Sequence, residues 1–192
     1  MIGLKTRFGE IHFEVSERGL ARLELPATFH RGKDSSPTTP CPASKPKTAM
    51  EKRVARELTG YFAGKLKRFT FPIDISGVSE FGQKVLQACF AIPYGAFVSY
   101  GDLARMAGRP RAARAVGRLM ATNPIAVVIP CHRVVGSTGG LCGYGGGLDM
   151  KKALLEHEGA GEARTKDKGR RPRARGNVKC QNPNAKSMSK SK

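Results

Sequence analysis

Apolar and polar residues alternate in short stretches from Met1 to Leu25: Ile11, Phe13 and Val15 stand two apart, then Leu20, Leu23 and Leu25 follow, with Gly9 and Gly19 between the runs. A period of two sends successive side chains to opposite faces, so this stretch predicts antiparallel strands with tight turns. The pattern stops over residues 26–48, where Pro26, Pro37, Pro40, Pro42 and Pro46 sit among Ser, Thr and Lys. Too little apolar surface is present there to offset the entropy of ordering, which predicts a mobile loop. Val54, Leu58, Tyr61 and Phe62 then fall at helical spacing within 49–63, and Arg68-Phe-Thr-Phe-Pro-Ile predicts a further short strand. These elements make a small N-terminal α/β domain over residues 1–76.

From Ser79 a second helical pattern (Phe81, Val85, Leu86, Cys89, Phe90) runs to Pro93, whose ring and missing amide end a helix. Ser99-Tyr-Gly-Asp is an S-x-x-D capping box, so a short helix is predicted over 100–107 with Gly108 as its C-terminal cap. Pro110 suits the first turn of another helix, about 110–121, which carries Arg111, Arg114 and Arg118 three and four apart among Ala112, Ala113, Ala115 and Gly117. Two short helices joined by a Gly-containing turn are similar to a helix-turn-helix. A last helix is predicted over 149–157, with Leu154 and Leu155 inward. The resulting fold class is α/β plus mainly α, with a second domain over 77–160 and a disordered tail over 161–192.

Charge changes this picture more than composition does. The chain has 192 residues and an apolar fraction of 40%, ordinary for a globular protein, but its formal net charge is +19. Residues 161–192 hold eleven Lys/Arg against two Asp/Glu, leaving a net +10 on the first 160. A basic body of this kind favours a polyanion. The five cysteines (Cys41, Cys89, Cys131, Cys142, Cys180) are scattered, with no C-x-x-C pair, which argues against a disulfide framework or zinc ribbon and for a reducing, intracellular setting. Apolar runs such as Ile125 to Ile129 are too short to span a membrane, and the N-terminus lacks a signal-peptide core.

Candidate chemistry centres on Pro130-Cys131-His132-Arg133-Val134. A free thiol is only a few per cent thiolate at neutral pH, and a neighbouring base or positive field, from His132 or Arg133, would raise that fraction. By itself, a cysteine beside a β-branched run is more often a packing residue. Adjacent side chains on an extended segment face opposite ways, so a Cys131–His132 contact needs a turn or a bridging water.

The surrounding motifs settle the choice. Ile129-Pro130-Cys131-His132-Arg133-Val134, with Ser99-Tyr100 and Arg111-Ala-Ala-Arg-Ala-Val-Gly117 upstream and Gly143-Tyr-Gly-Gly-Gly147 and Leu154-Leu-Glu-His-Glu-Gly159 downstream, resembles the O6-alkylguanine-DNA alkyltransferase family over roughly residues 78–160. The resemblance implies a stoichiometric repair reaction, in which a damaged nucleotide is flipped from double-stranded DNA and Cys131 takes the alkyl group from O6 of guanine, with O4-alkylthymine as a further substrate. It implies that His132 accepts the Cys131 proton through a water, that Glu158 orients His132, that Asn123 braces the network and that Tyr100 donates to the departing base. It also implies an Arg114 finger in the space left by the base, a minor-groove approach along Arg111, Ala112, Ala113, Gly117 and Arg118, and a pocket of Val134, Tyr144, Gly145 and Ala126 with backbone readout of the base at Cys131, Val134 and Gly145.

No cofactor and no metal are expected. The glycines at 143 and 145–147 fail the G-x-G-x-x-G pattern because position 148 is Leu, and His12, His30 and His157 lack neighbouring ligands in sequence. Met120, Met150, Phe81 and Phe90 fall at helical spacing and are expected in the core. Departures from the family are Gly145, where many relatives carry Ser or Ala; Ala126, where some carry Pro; and Leu86 and Ala153, where Trp is common. The expected state is a monomer in the cytoplasm, on the nucleoid of a prokaryote or in the nucleus of a eukaryote. The rival readings are a binding-only alkyltransferase-like protein, whose known forms lack the acceptor cysteine, a helix-turn-helix regulator, and a cysteine hydrolase, which lacks an evident oxyanion site.

Overall fold

The computed structural model describes residues 1–26 and 44–160. Most of the loop expected at 26–48, and the tail expected at 161–192 together with His30, Cys41 and Cys180, lie outside the described residues.

The alternating N-terminal stretch forms a three-stranded antiparallel sheet in the order β1-β2-β3, with β1 Ile2–Thr6, β2 Gly9–Ser16 and β3 Gly19–Glu24. Ile11 and Phe13 of β2 and Leu20 and Leu23 of β3 are buried on its inner face, and a register shift between Glu14 and Val15 keeps both sets facing the core. Gly19 (φ 140°) opens β3 because a Cβ there would lie 2.3 Å from the Pro72 carbonyl oxygen. Helix α1 (Ala49–Phe62) packs Val54, Leu58, Tyr61 and Phe62 into that core. Each such burial contributes about 1.5–3 kcal/mol. Two of the residues expected in the mobile loop are held: Ser44 bridges Ile2, and Thr48 caps α1 in a capping box with Glu51.

Residues 68–73 do not form the predicted strand. The Thr70 amide donates to Glu57 (2.7 Å), the Thr70 carbonyl accepts from Arg53 (3.0 Å), and Pro72 has no amide. One bridge remains, Leu20 to Ile73, held by the Leu20 amide on the Pro72 carbonyl (2.9 Å) and the Asp74 amide on the Leu20 carbonyl (2.8 Å).

Helix α2 (Glu80–Phe90) is capped by Ser79 and ends at Ala91, ahead of Pro93. Strand β4 (Val98–Ser99) leads into α3 (Tyr100–Met106), whose Ser99–Asp102 capping box is complete. The next helix, α4 (Ala113–Ala121), begins three residues later than the sequence suggests. Pro110 serves a turn closed by the Ala112 amide on the Arg109 carbonyl (2.9 Å), where its fixed φ fits the second position. The apolar run 125–129 is a buried, bent segment with Val127 at φ 70°, bridged to Leu23 through Ile125. After a single 3-10 turn, Cys131–Arg133, strand β5 (Val134–Val135) pairs in parallel with β4, and α5 (Leu148–His157) closes the fold. Side chains of the sheet and all five helices join one hydrophobic core. Among the described residues no helix is long and apolar enough to cross a membrane.

Candidate active site

Three local features bring the site together. The 3-10 turn carries Cys131 and His132, which would face opposite ways on an extended segment. The two-residue β4–β5 ladder (Val98 with Val134, Ser99 with Val135) sets Tyr100, the first residue of α3, against the strand that follows the cysteine. The C-terminal end of α5 delivers Glu158.

Cys131 is 4% exposed, and its sulfur accepts a hydrogen bond from Asn123 Nδ2 at 3.2 Å. Asn123 is fixed at both ends of its amide: Oδ1 accepts from the Ile125 amide (3.1 Å) and Nδ2 also donates to the Ile129 carbonyl (2.8 Å). The amide's donor end therefore has to face the sulfur. Burial pushes the Cys131 thiol up, and the Asn123 hydrogen bond, the Tyr144 hydroxyl and the Lys151 charge oppose that rise without cancelling it. The resting group is a protonated thiol, and a base has to act before sulfur attacks.

His132 is fully buried. Its Nε2 lies 2.9 Å from Glu158 Oε1, while Arg133 donates from Nε to Oε2 (2.8 Å) and from Nη2 to Oε1 (2.8 Å). Tyr61 of α1 donates to Oε1 at 2.6 Å, and the Gly95 amide to Oε2 at 3.3 Å. Burial alone would raise the Glu158 carboxyl, but the hydrogen bonds of His132 and Arg133 and the Arg133 charge prevail and hold it well below the ordinary range. An ionised carboxylate only accepts, so the proton of a neutral His132 belongs on Nε2. Burial lowers His132, against the pull of Glu158, which favours this neutral form. Nδ1 then holds a lone pair and has no partner among the described residues. Arg133, which the sequence offers as a thiolate-stabilising charge, is committed to Glu158 and to the Ile92 carbonyl.

Lys151 was not singled out from sequence. It is fully buried, donates to the Val134 carbonyl (2.7 Å) and the Leu141 carbonyl, and stands 5.9 Å from the ring centroids of both Tyr100 and Tyr144. Its signal was a charged residue on an apolar stripe, since Met150, Lys151, Leu154 and Leu155 form the buried face of α5. Tyr61 carried no signal beyond its place on the apolar face of α1.

Tyr100 is half-buried, and burial raises its hydroxyl, which stays protonated. The Tyr144 ring is half-buried and its hydroxyl wholly buried beside Cys131, without completing a hydrogen bond among the described residues. Val134 is buried, with its amide on the Cys131 carbonyl and its carbonyl already accepting Lys151. The Cys131 amide is likewise bonded, to the Ile129 carbonyl (2.8 Å). Ala126 is half-buried and Gly145 is exposed in the turn that the Gly147 amide closes on the Tyr144 carbonyl (3.0 Å).

The arginine face is built differently. Arg111, Arg114 and Arg118 are exposed and have no ion-pair partner among the described residues, while Ala112, Ala113 and Gly117 are half-buried between them. The first turn of α4 has no side-chain cap, and a Cβ at Gly117 would lie 3.9 Å from the Tyr100 ring. His157 is engaged by Arg7 and the Tyr61 carbonyl (2.8 Å), and no group of three acidic, His or Cys side chains among the described residues is arranged to hold a metal.

Residues 80–160 match the family described as 6-O-methylguanine DNA methyltransferase, DNA binding domain. A methylated-DNA--protein-cysteine methyltransferase of Mycobacterium leprae is 53% identical over 102 residues, which are 53% of this chain and 61% of the relative. The chain thus spans less than two thirds of that mycobacterial protein. One from Methanosarcina barkeri is 40% identical over 141 residues, 73% of this chain and 79% of the relative. In structure, the chain is similar to Mycobacterium tuberculosis OGT in complex with DNA (TM-score 0.68, 36% identity, 81% of this chain and 90% of that one). It is also similar to O6-methylguanine-DNA methyltransferase from Pyrococcus kodakaraensis (TM-score 0.55, 28% identity, 82% and 98%).

Proposed function

Since this chain belongs to the O6-methylguanine DNA methyltransferase family, we propose that Cys131 accepts the alkyl group of an O6-alkylated guanine in DNA and keeps it. The observation that carries this reading is the buried set in which Asn123 faces the sulfur and Glu158 fixes His132, whose Nδ1 has no partner among the described residues. In this reaction the Cys131 proton passes through a water to His132 Nδ1. The sulfur then forms a bond to the alkyl carbon as the carbon–O6 bond breaks, and the guanine leaves with that electron pair and takes a proton donated by Tyr100. The thioether has no leaving route, so each molecule acts once. O4-alkylthymine presents a similar alkyl–oxygen bond and is a second substrate.

Residues 1–76 form the supporting domain, 77–160 the reacting and DNA-binding domain, and 161–192 a basic tail. Helices α3 and α4 act as a helix-turn-helix. Arg114 occupies the space of the extruded base, with Arg111 and Arg118 on flanking phosphates; Ala112 adds little bulk beside them, and the uncapped first turn of α4, from Ala113 onward, leaves amides to face a phosphate. Small residues up to Gly117 permit close approach in the minor groove. Val134, Tyr144, Gly145 and Ala126 line the base pocket. The protein works as a monomer without cofactor or metal, in the compartment that holds the DNA.

Incubating the protein with an oligonucleotide carrying O6-methylguanine tests this. One methyl per protein, seen by intact mass and mapped to Cys131, is the expected result. Binding of the oligonucleotide without any gain in mass, by wild type and Cys131→Ala alike, would replace the proposal with a binding-only role.

A further inference from the structure

Tyr61 belongs to the N-terminal sheet-and-helix half of the molecule, 97 residues from Glu158 in sequence, and nevertheless places its hydroxyl 2.6 Å from the Glu158 carboxylate. It is fully buried, with its ring packed on Phe62, Phe69, Tyr94 and His157 and its carbonyl bonded to His157 Nε2 at 2.8 Å. The packing would be served equally by Phe, the residue used at 62, 69 and 71. The hydroxyl is the part without a packing purpose.

We propose that Tyr61 is a positioning residue for the Cys131 reaction, donating from the N-terminal domain to Glu158 and thereby setting how strongly His132 holds a proton. This rests on the alkyl-transfer reading above. Glu158 Oε1 receives three donors, from Tyr61 (2.6 Å), Arg133 (2.8 Å) and His132 (2.9 Å). A carboxylate oxygen offers about two lone pairs, so the three share its electron density and each weakens the others. The shortest of the three is the phenol's. By drawing charge from Oε1, Tyr61 keeps Glu158 ionised and limits its pull on the His132 imidazolium that forms when the thiol proton arrives. His132 is then a base that gives its proton back.

The other charged or titratable groups around this pair are Arg133 on the 3-10 turn, Lys151 and His157 on α5, Tyr94 in the loop before β4, and Arg7 beside His157. Arg133 and Lys151 oppose protonation of His132, as Tyr61 does. Tyr61 itself stays a donor, because burial and then the Glu158 charge push its hydroxyl well up.

Tyr61→Phe removes the donor and keeps the ring. In the full chain labelled with 15N-histidine, the NMR titration of His132 should move to higher pH by about one unit, the scale of one lost charge-assisted hydrogen bond. The acid limb of methyl transfer should move with it, while affinity for undamaged duplex stays within twofold. A His132 titration unchanged from wild type, with only a lower melting temperature, would reduce Tyr61 to packing. Placing 3-fluorotyrosine at 61 supplies a stronger donor in the same packing and should shift the titration the opposite way; if Tyr61→Phe does not fold, the sign of this shift decides the matter. Were wild type to accept no methyl, the alkyl-transfer reading would fail while the His132 titration still reported on Tyr61.

Discussion

Cys131 and the α4 arginine face both lie within residues 80–160 and follow opposite rules. Around Cys131 the charged groups are buried and held: Glu158 receives five hydrogen bonds from His132, Arg133, Tyr61 and Gly95, and Asn123 is fixed at both ends. On α4 the arginines are exposed, and the helix start has no side-chain cap. The buried region is preorganised, so its geometry is set before any substrate arrives. The exposed region is unfinished, and in the proposed function an anionic partner would supply what its cations and free amides lack. Substitutions in the first should therefore cost stability and chemistry together, and substitutions in the second should cost chemistry on duplex DNA alone.

The sharpest break is Glu158→Gln. It leaves the buried Arg133 guanidinium without its counter-charge and turns one of the two accepting oxygens into a donating amide, so the donors of His132, Arg133, Tyr61 and Gly95 compete for a single acceptor. Losing one partner of a buried ion pair costs about 3–5 kcal/mol, a large part of a typical total stability of roughly 5–15 kcal/mol. Urea unfolding should show this loss, and methyl transfer should cease. Because the folded carboxyl lies below its unfolded value, its contribution is complete above the ordinary carboxylate range and fades as pH falls toward the folded value. Wild type should thus lose this contribution on acidification, and the Gln variant should show a flatter acid dependence. Equal slopes would mean that Glu158 is not the ionised centre of the network.

Lys151→Met tests whether the buried cation belongs to the same region. The Val134 and Leu141 carbonyls lose their donor, which costs about 1–3 kcal/mol where they stay buried. The Lys151 charge also opposes the rise of the Cys131 thiol. Methylation of Cys131 by methyl iodide should therefore need a higher pH in the variant. An unchanged pH profile with lower stability would confine Lys151 to holding the 136–147 loop.

Arg114→Ala sharpens the comparison from the other side. An exposed residue with no ion-pair partner among the described residues should change stability by no more than about 0.5 kcal/mol. Transfer from duplex O6-methylguanine should slow about tenfold or more, as losing a wedge worth a few kcal/mol of unstacking implies, with little effect on a free base analogue. Matching losses on duplex and free base would refute the finger role.

How far each region was legible in sequence follows the same divide. The helix starts were local: Ser79 and the Ser99–Asp102 box announced themselves, and the strand period of residues 1–25 gave the sheet. Where local signals competed, the reading erred, as at Pro110, which fits a helix start and a turn equally well, and at 68–73, where Arg53 and Glu57 from α1 take both backbone groups of Thr70. Cys131, His132 and Glu158 were found through their motif, but the contacts that complete the set are made over long separations. No periodicity shows that the Tyr61 hydroxyl reaches Glu158, or that a two-residue ladder puts Tyr100 beside the strand after Cys131. Lys151 was visible as a charge on an apolar stripe, but it becomes informative only when that stripe is known to face the thiol.

The glycine turn between the two regions gives the smallest and most local test. Gly145, Gly146 and Gly147 look alike in sequence and differ in space. A Cβ at Gly145 would make only an ordinary contact, 3.6 Å from the Ala121 carbonyl oxygen, and its backbone is outside the left-handed region. At Gly146 a Cβ would stand 2.9 Å from the Tyr144 ring and 3.0 Å from Leu25, and Gly147 has φ 83°. Gly145→Ala should therefore stabilise the protein by about 0.4–1 kcal/mol, because the unfolded chain loses freedom that the folded turn does not use. Gly146→Ala should push the Tyr144 ring off its place beside Cys131, slowing transfer from both duplex and free base. Melting curves and the two transfer rates separate these outcomes. A destabilising Gly145→Ala would mean that the turn needs a conformation only glycine adopts, and would place this loop with the exposed, adaptable region and not with the ordered one around Cys131.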